Sequence, residues 1–171
     1  MFASLPRVRR PARRTFILLA LVAISLDIET EVDAPLGELF DLMADPETEE
    51  QWNPDALEVR RVDQGPVAPG AEWRGRYKGM GTMEITLREY ERPSRLVFAI
   101  TGNRMDMDWA FTFALMQTGT RLTAAAELRP RGALRLLSPL FGPMMRRTFS
   151  RRPAQLAPGV AMRHASTAVD R

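Results

Sequence analysis

Residues 82–115 read TMEITLREYERPSRLVFAITGNRMDMDWAFTFAL. Within this stretch, large apolar residues recur at every second position in three successive runs, which short turns containing Pro93 and Gly102 separate. A period of two places every second side chain on the same side of an extended chain. The stretch therefore predicts three consecutive antiparallel strands joined by hairpins.

One face of these predicted strands is apolar throughout. Two interpretations stay open, because such a face can pack on a helix as core or line a pocket that buries an apolar ligand. The residues on this face are Met83, Ile85, Leu87, Leu96, Phe98, Ile100 and the odd-numbered residues 105–115, which include Met107, Trp109, Phe111 and Phe113.

The flanking sequence extends the same pattern in both directions. Further strands are predicted at 24–32, 57–63, 71–78 and 120–129, which makes about seven in all. A short helix is predicted from about residue 36 to 44, with Asp33 as its N-cap and Pro35 in its first turn. Residues 46–54 read as a polar connection. Residues 131–152 have apolar residues at helical spacing and predict a long C-terminal helix, kinked at Pro139 and Pro143.

These elements predict an α+β fold in which a curved antiparallel sheet grips the C-terminal helix. The 171 residues suit one domain, which we place at 24–152, between a basic extension (1–23) and a disordered tail (153–171). The extension is either disordered or a targeting segment, because five Arg precede an apolar run that ends at Leu26.

Composition excludes several classes of chemistry. The chain has no Cys, which rules out disulfides, thiolate-bound metals and thiol nucleophiles. Its one His, His164, falls in the predicted tail, so neither a His-rich metal site nor a Ser-His-Asp triad is expected. We therefore predict no metal and no cofactor.

Charge is distributed unevenly along the chain. Residues 1–26 carry five Arg and no acid, and residues 129–171 carry nine Arg and one Asp. The remaining middle of the chain is acidic. A nucleic-acid-binding domain concentrates positive charge on its folded body, so no nucleic-acid partner is expected.

Five short motifs, in this order, resemble the START-like helix-grip superfamily (SRPBCC), and more narrowly its polyketide cyclase/dehydrase and lipid-transport group. The resemblance covers most of the chain, from about residue 24 to 149. The motifs are VDAP (32–35) before LFDL (39–42), DP (45–46) before WNP (52–54), PG (69–70), EYERP (89–93) before RLVF (95–98), and GTRLT (119–123) before RPRG (129–132).

The resemblance implies a deep apolar cavity between the sheet and the C-terminal helix. Members of this superfamily bind lipids, polyketides or other apolar molecules, and some catalyse ring closure or dehydration. To the apolar strand residues we add Trp52, Trp73 and Tyr77, at the expected mouth of the cavity, and Leu137 and Phe141 from the helix as candidate ligand contacts. The alternative for Trp52 is that it anchors the loop after the first helix.

No catalytic residue is predicted. Asp106 and Asp108 alternate with Met107 and Trp109, so they fall on the opposite, solvated face of their strand. Tyr90 and Glu91 are acid–base candidates, but Glu91 lies where the strand is expected to end. A register error of one residue would exchange the two faces and turn the charged groups inward.

Three functions stay open. The first is one-to-one binding of a small apolar molecule by a cytoplasmic monomer or weak homodimer. The second is an enzyme of the cyclase or dehydratase kind that uses Asp, Glu, Tyr or Arg. The third is a lipid-handling protein that contacts a membrane, or is exported, through residues 7–26.

Overall fold

The structure, a computed structural model, describes residues 23–135 and Gly159. Seven strands form where the apolar and polar residues alternate. They are β1 (Ile24–Val32), β2 (Ala56–Arg61), β3 (Glu72–Tyr77), β4 (Gly81–Glu91), β5 (Arg95–Gly102), β6 (Met105–Leu115) and β7 (Thr120–Pro130). The helices between β1 and β2 are α1 (Leu36–Ala44), a 3-10 turn (Pro46–Thr48) and α2 (Glu49–Trp52).

All neighbouring strands are antiparallel, and the sheet order is β1-β7-β6-β5-β4-β3-β2. Strands β2 to β7 follow one another as hairpins, whereas β1 crosses over to pair with β7. The prediction of a seven-stranded antiparallel sheet with few helices is confirmed.

Helix α1 begins one residue after Pro35, and Asp33 is not its cap. Pro35 takes the N-cap position with extended backbone (φ −59°, ψ 140°), and no side chain caps the helix. The predicted cap at Asp33 is therefore wrong. Leu39 and Phe40 are fully buried against the sheet, so packing rather than capping holds the helix in place.

The predicted polar connection after α1 is helical in two short pieces. The Thr48 hydroxyl donates to the backbone oxygens of Leu42 (2.6 Å) and Asp45 (2.8 Å). The Asp45 carboxylate accepts from the Glu47 N–H at 3.1 Å. These bonds satisfy the backbone groups where α1 ends and let the 3-10 turn and α2 follow directly.

Strand β2 lies at one edge of the sheet. Just beyond β2, the Val62 N–H donates to Glu72 O on the neighbouring strand β3. Backbone N–H groups alternate in direction along a strand, so those of Val59 and Arg61 point away from the sheet. Carboxylates from the preceding segment accept both of them. Glu50 accepts from Val59 at 2.7 Å, and Glu47 accepts from Arg61 at 3.0 Å.

The β6–β7 hairpin is fastened to the junction between β1 and α1. Gly119 has φ +78°, and a Cβ added there would lie 2.3 Å from the Val32 carbonyl oxygen. The next residue, Thr120, is fully buried and its hydroxyl donates to Ala34 O at 2.8 Å. The turn therefore holds both the sheet edge at β1 and the start of α1.

Several predicted segments lie outside the described residues. These are residues 1–22, most of the predicted helix 131–152 with Leu137 and Phe141, and most of the tail 153–171. Residues Gly132–Arg135 form a 3-10 turn, so the prediction of an α-helix is wrong for this segment. Gly159, which we assigned to the tail, lies in a helix and is buried. Within the described residues, no helix is both long and apolar enough to cross a membrane.

Candidate functional site

One face of the sheet, here called the inner face, is built from the buried alternate residues of the strands. The period-two pattern placed these residues correctly. Trp73 and Tyr77 lie on this face in β3, Met83, Ile85 and Leu87 in β4, Phe98 and Ile100 in β5, and Met107, Trp109, Phe111 and Phe113 in β6. Leu115 is an exception, since it is 74% exposed at the end of β6.

The inner face divides into two apolar clusters. The first lies under α1 and includes Phe40, Trp73 and Phe113. The second consists of strand residues alone and includes Met107 and Trp109. Each cluster buries its own residues, and the two meet in the middle of the face.

Accessible surface remains at that meeting point. Ile100 and Phe111 are only half-buried, and they contact both clusters. Their cross-strand neighbours are buried. Ile100 pairs with Ile85 and Met107, while Phe111 pairs with Leu96 and Ala124. The centre of the inner face therefore keeps some accessible surface between residues that are buried.

Four aromatic rings, here called the aromatic row, run across the inner face. They are Trp73 on β3, Phe98 on β5, and Phe111 and Trp109 on β6. Trp73 meets Phe98 edge-on (6.3 Å between ring centroids), Phe98 meets Phe111 edge-on (6.4 Å), and Phe111 stacks on Trp109 (5.6 Å). The edge-on pairs are a favoured geometry for aromatic side chains, so the row is a defined surface.

Two glycines shape the floor of the inner face. A Cβ at Gly75 would lie 2.5 Å from Tyr77 Cε2, so the Tyr77 ring folds back over Gly75 along its own strand. A Cβ at Gly102 would lie 2.9 Å from Met83 Cε, so Met83 fills the space opposite that glycine. Larger residues at either position would push these side chains away from the strands.

The structure buries Trp73 and half-buries Trp52, two residues that we predicted at the mouth of the cavity. Trp73 is 1% exposed and lies inside the first cluster. Trp52 packs against Gly159, where an added Cβ would lie 3.0 Å from Trp52 Cβ and 3.3 Å from Leu42 Cδ2. The indole N–H groups of both Trp52 and Trp73 are buried with no hydrogen-bond partner among the described residues.

Arg61 is a site residue that the sequence reasoning missed. Its guanidinium lies 4.5 Å from the centre of the Trp73 ring, and its side chain is 18% exposed. Asp63 binds it in a forked pair, with Nε–Oδ1 at 2.6 Å and Nη2–Oδ2 at 2.7 Å. Nη2 also donates to Pro66 O at 3.1 Å. Arg61 lies two residues after the apolar Val59, which places both side chains on the same face of β2. This spacing is the signal in the sequence from which Arg61 could have been found.

The Arg61–Asp63 pair predicts a pH dependence of stability. Hydrogen bonds from Arg61 and from the Glu72 N–H lower the pKa of Asp63 below its usual range. A lowered folded-state pKa adds stability above the ordinary value of about 4, and this stability is lost as pH falls through the lowered pKa. We expect Asp63→Asn to lower the thermal midpoint at pH 7, and the gap from wild type to narrow below about pH 4.

Thermal unfolding between pH 3 and pH 7 measures this effect. Asp27→Asn, on the exposed outer side of β1, is the control and should follow the wild type at every pH. A gap between Asp63→Asn and wild type that stays constant from pH 7 to pH 3 would show that the ion pair is not the cause.

The carboxylates of β6 lie on the outer face, as predicted. Asp106 pairs with Arg131 at 2.7 Å, and Asp108 pairs with Arg129, which also binds Glu127 at 3.0 Å. Within the described ranges, no group of His, Asp and Glu could hold a metal ion.

A β-bulge changes the face at the end of β4. The pairing with β5 shifts between Leu87 and Glu89, so Arg88 is an extra residue. As a result Tyr90 points inward and meets the Phe40 ring edge-on at 5.3 Å, whereas Glu91 stays exposed. Tyr90 and Glu91 therefore do not form an acid–base pair.

The sequence profile of the family described as "Polyketide cyclase / dehydrase and lipid transport" matches residues 23–157. No curated protein matches the chain.

Several solved structures have a similar fold. StfQ, a di-domain ARO/CYC from the steffimycin biosynthetic pathway, is 12% identical with a TM-score of 0.66, over 86% of this chain and 53% of that one. BexL, a di-domain ARO/CYC from the BE-7585A biosynthetic pathway, is 17% identical with a TM-score of 0.64, over 83% of this chain. The chain spans 52% of the length of BexL. A Staphylococcus aureus protein of unknown function is 11% identical with a TM-score of 0.64, over 84% of this chain and 96% of its own.

Proposed function

The chain belongs to the polyketide cyclase/dehydrase and lipid transport family, and on that premise we propose that it binds one small hydrophobic or amphipathic molecule. The ligand would lie between the inner face of the sheet and the part of the predicted C-terminal helix that follows residue 135. Leu137 and Phe141 would contact it from the helix.

The half-buried pair Ile100 and Phe111, in the centre of the inner face, supports this proposal most directly. A core that packed completely would bury these two residues as it buries their neighbours. Phe111 is the ring of the aromatic row that keeps accessible surface at this place. Covering 200 Å² of apolar surface would contribute roughly 5 kcal/mol at about 25 cal/mol per Å².

Catalysis of ring closure or dehydration is the second candidate, because StfQ and BexL are named as ARO/CYC proteins. Within the described strands, however, the inner face carries no carboxylate. Its ionisable groups are Tyr77, Tyr90 and Arg61, and Arg61 is bound to Asp63. Two converging acid–base groups are the usual requirement for such chemistry. Binding is therefore the function that the geometry supports better.

Native mass spectrometry of the purified full-length protein tests the proposal. We expect a discrete adduct of a few hundred daltons, which organic extraction would then identify by class. A protein that stays free of ligand, even after incubation with fatty acids, sterols and aromatic polyketides, would contradict it.

The proposal places the protein in the cytoplasm as a monomer or weak homodimer. The alternative is membrane contact or export through residues 7–26, most of which lie outside the described residues. Cell fractionation with sequencing of the mature N-terminus separates the two. An N-terminus near residues 24–27 would indicate processing and export, while an intact chain in the cytosolic fraction would support the first placement.

A further inference from the structure

The segment that contains α1 and α2 is strongly acidic. Residues 33–57, here called the acidic segment, contain eight carboxylates and no Lys or Arg. Within the described part of the chain, two of the eight form ion pairs with arginines. Asp41 binds Arg92 at 2.8 Å, and Glu50 binds Arg60. The acidic segment therefore carries a surplus of negative charge.

A residue from near the C-terminus lies directly on the acidic segment. Gly159 is helical and buried. A Cβ added to it would lie 3.0 Å from Trp52 Cβ and 3.3 Å from Leu42 Cδ2. A backbone can come this close to α2 and α1 because glycine has no side chain. Leu42 is fully buried at this contact. Gly159 therefore marks a seat for the C-terminal sequence on the acidic segment.

The sequence around Gly159 has the opposite charge. Residues 146–163, here called the basic arm, contain five Arg and no carboxylate. Complementary charges on two surfaces that meet favour their association and fix its orientation. A single exposed ion pair contributes little, so several arginines of the arm have to act together.

The chain is long enough for the arm to reach its own acidic segment. Gly159 follows Arg135 by 24 residues, which span about 36 Å even as a continuous α-helix. Strands β7 and β2 are five positions apart in the sheet, which is about 24 Å. The arm of a second molecule is therefore not needed to occupy the seat.

We propose that the acidic segment is the docking surface for the basic arm of the same chain. Gly159 provides the close contact with Trp52 and Leu42, and arginines of the arm pair with carboxylates of the acidic segment. Arg163 is one of these arginines, because residues four apart share one side of a helix. This interaction holds the C-terminal end of the chain on α1 and α2 and does not depend on the proposed ligand.

A single introduced thiol tests the role of charge in the full-length protein, because the chain has no Cys. Leu42→Cys places the thiol beneath Gly159, and its rate of reaction with the uncharged reagent 4,4′-dithiodipyridine reports how often the arm leaves. We expect replacement of the five arginines of the arm by Gln to raise this rate about tenfold. Sodium chloride at about 1 M should accelerate the reaction of the unchanged arm similarly and the Gln variant little.

Two controls separate release of the arm from other effects. Leu39→Cys places a thiol on the side of α1 that packs on the sheet, and it should react slowly with either arm, because only unfolding exposes it. Arg74→Gln removes an exposed arginine on the outer face of β3 and should leave the rate at Leu42→Cys unchanged. If neither the Gln arm nor salt accelerates the reaction at Leu42→Cys, charge does not hold the arm and the proposal is wrong.

A pair of cysteines identifies which molecule supplies the arm. The Cβ atoms of Trp52→Cys and Gly159→Cys would lie 3.0 Å apart, slightly less than the usual separation of about 3.8 Å in a disulfide. We expect oxidation of the double variant to give a disulfide-linked monomer on a non-reducing gel. Disulfide-linked dimers would show that a second copy supplies the arm, and they would overturn the assignment to the same chain.

Discussion

Gly119→Ala is expected to lower the free energy of unfolding by about 3 kcal/mol, from backbone strain and a steric clash together. The strain arises because Gly119 has φ +78°, a region that L-residues with a Cβ rarely adopt. The clash arises because the new methyl would lie 2.3 Å from Val32 O. Urea unfolding followed by far-UV circular dichroism gives the measurement.

Gly79→Ala is the matched control for this variant. Gly79 has a similar φ of +72°, but nothing lies within 4 Å of an added Cβ. This control should lose only the strain, about 1 kcal/mol. Equal losses in the two variants would mean that the β6–β7 turn does not press on β1 as closely as the structure shows.

Phe111→Asp is expected to reduce ligand affinity more than about a hundredfold, because it places a charge where the ligand needs apolar contact. Phe111 is the half-buried ring that joins both clusters, so the substitution removes the centre of the aromatic row. Titration with the neutral fluorescent ketone 6-propionyl-2-(dimethylamino)naphthalene, alongside a thermal melt of each variant, measures the effect.

Two companion variants keep this result interpretable. Thr112→Asp introduces the same charge one residue further along, on the exposed outer side of β6, and should bind the ketone as the wild type does. Phe111→Leu keeps the site apolar and folded, and should weaken binding about tenfold through the loss of ring contacts. If the Phe111→Asp variant folds and binds the ketone with wild-type affinity, Phe111 does not contact the ligand.

Much of the sheet could be predicted because its pattern is local. Each strand from β3 to β7 buries one face, so a period of two appears in the residues themselves, as in Met107, Trp109 and Phe113. The short helix α1 showed its helical spacing for the same reason. Where one face is buried, register is strongly specified, and the charged residues of β3 to β7 lie on the outer face as predicted.

The features that escaped prediction depend on contacts between distant residues. The β4 bulge turns Tyr90 toward Phe40, fifty positions earlier in the chain, and no local pattern marks it. The 3-10 turn and α2 depend on Thr48 meeting Leu42 O, a contact that exists only once α1 has formed. Asp is a residue type that often caps helices, which is why Asp33 was predicted as the cap. In the structure Pro35 is the extended residue from which α1 begins.

The candidate site was predicted in part. The residues of the inner face were found from alternation alone, although their role in ligand binding stays a prediction. Arg61 was missed because a charged residue at a strand edge normally faces water. Its position over Trp73 depends on Asp63, which follows the strand and forms the forked pair that makes a half-buried guanidinium stable there.

The two carboxylates at the β2 edge have a consequence for how the protein behaves at high concentration. An uncovered edge strand is a template on which another molecule can add its own strand, and this is a common route to aggregation. Here the outward N–H groups of Val59 and Arg61 are already bonded to Glu50 and Glu47. An incoming chain would have to displace both side chains, and Arg60 also holds Glu50 in place. The Val59 N–H lowers the pKa of Glu50, so the Glu50 part of this barrier against intermolecular sheet growth persists into mildly acidic solution.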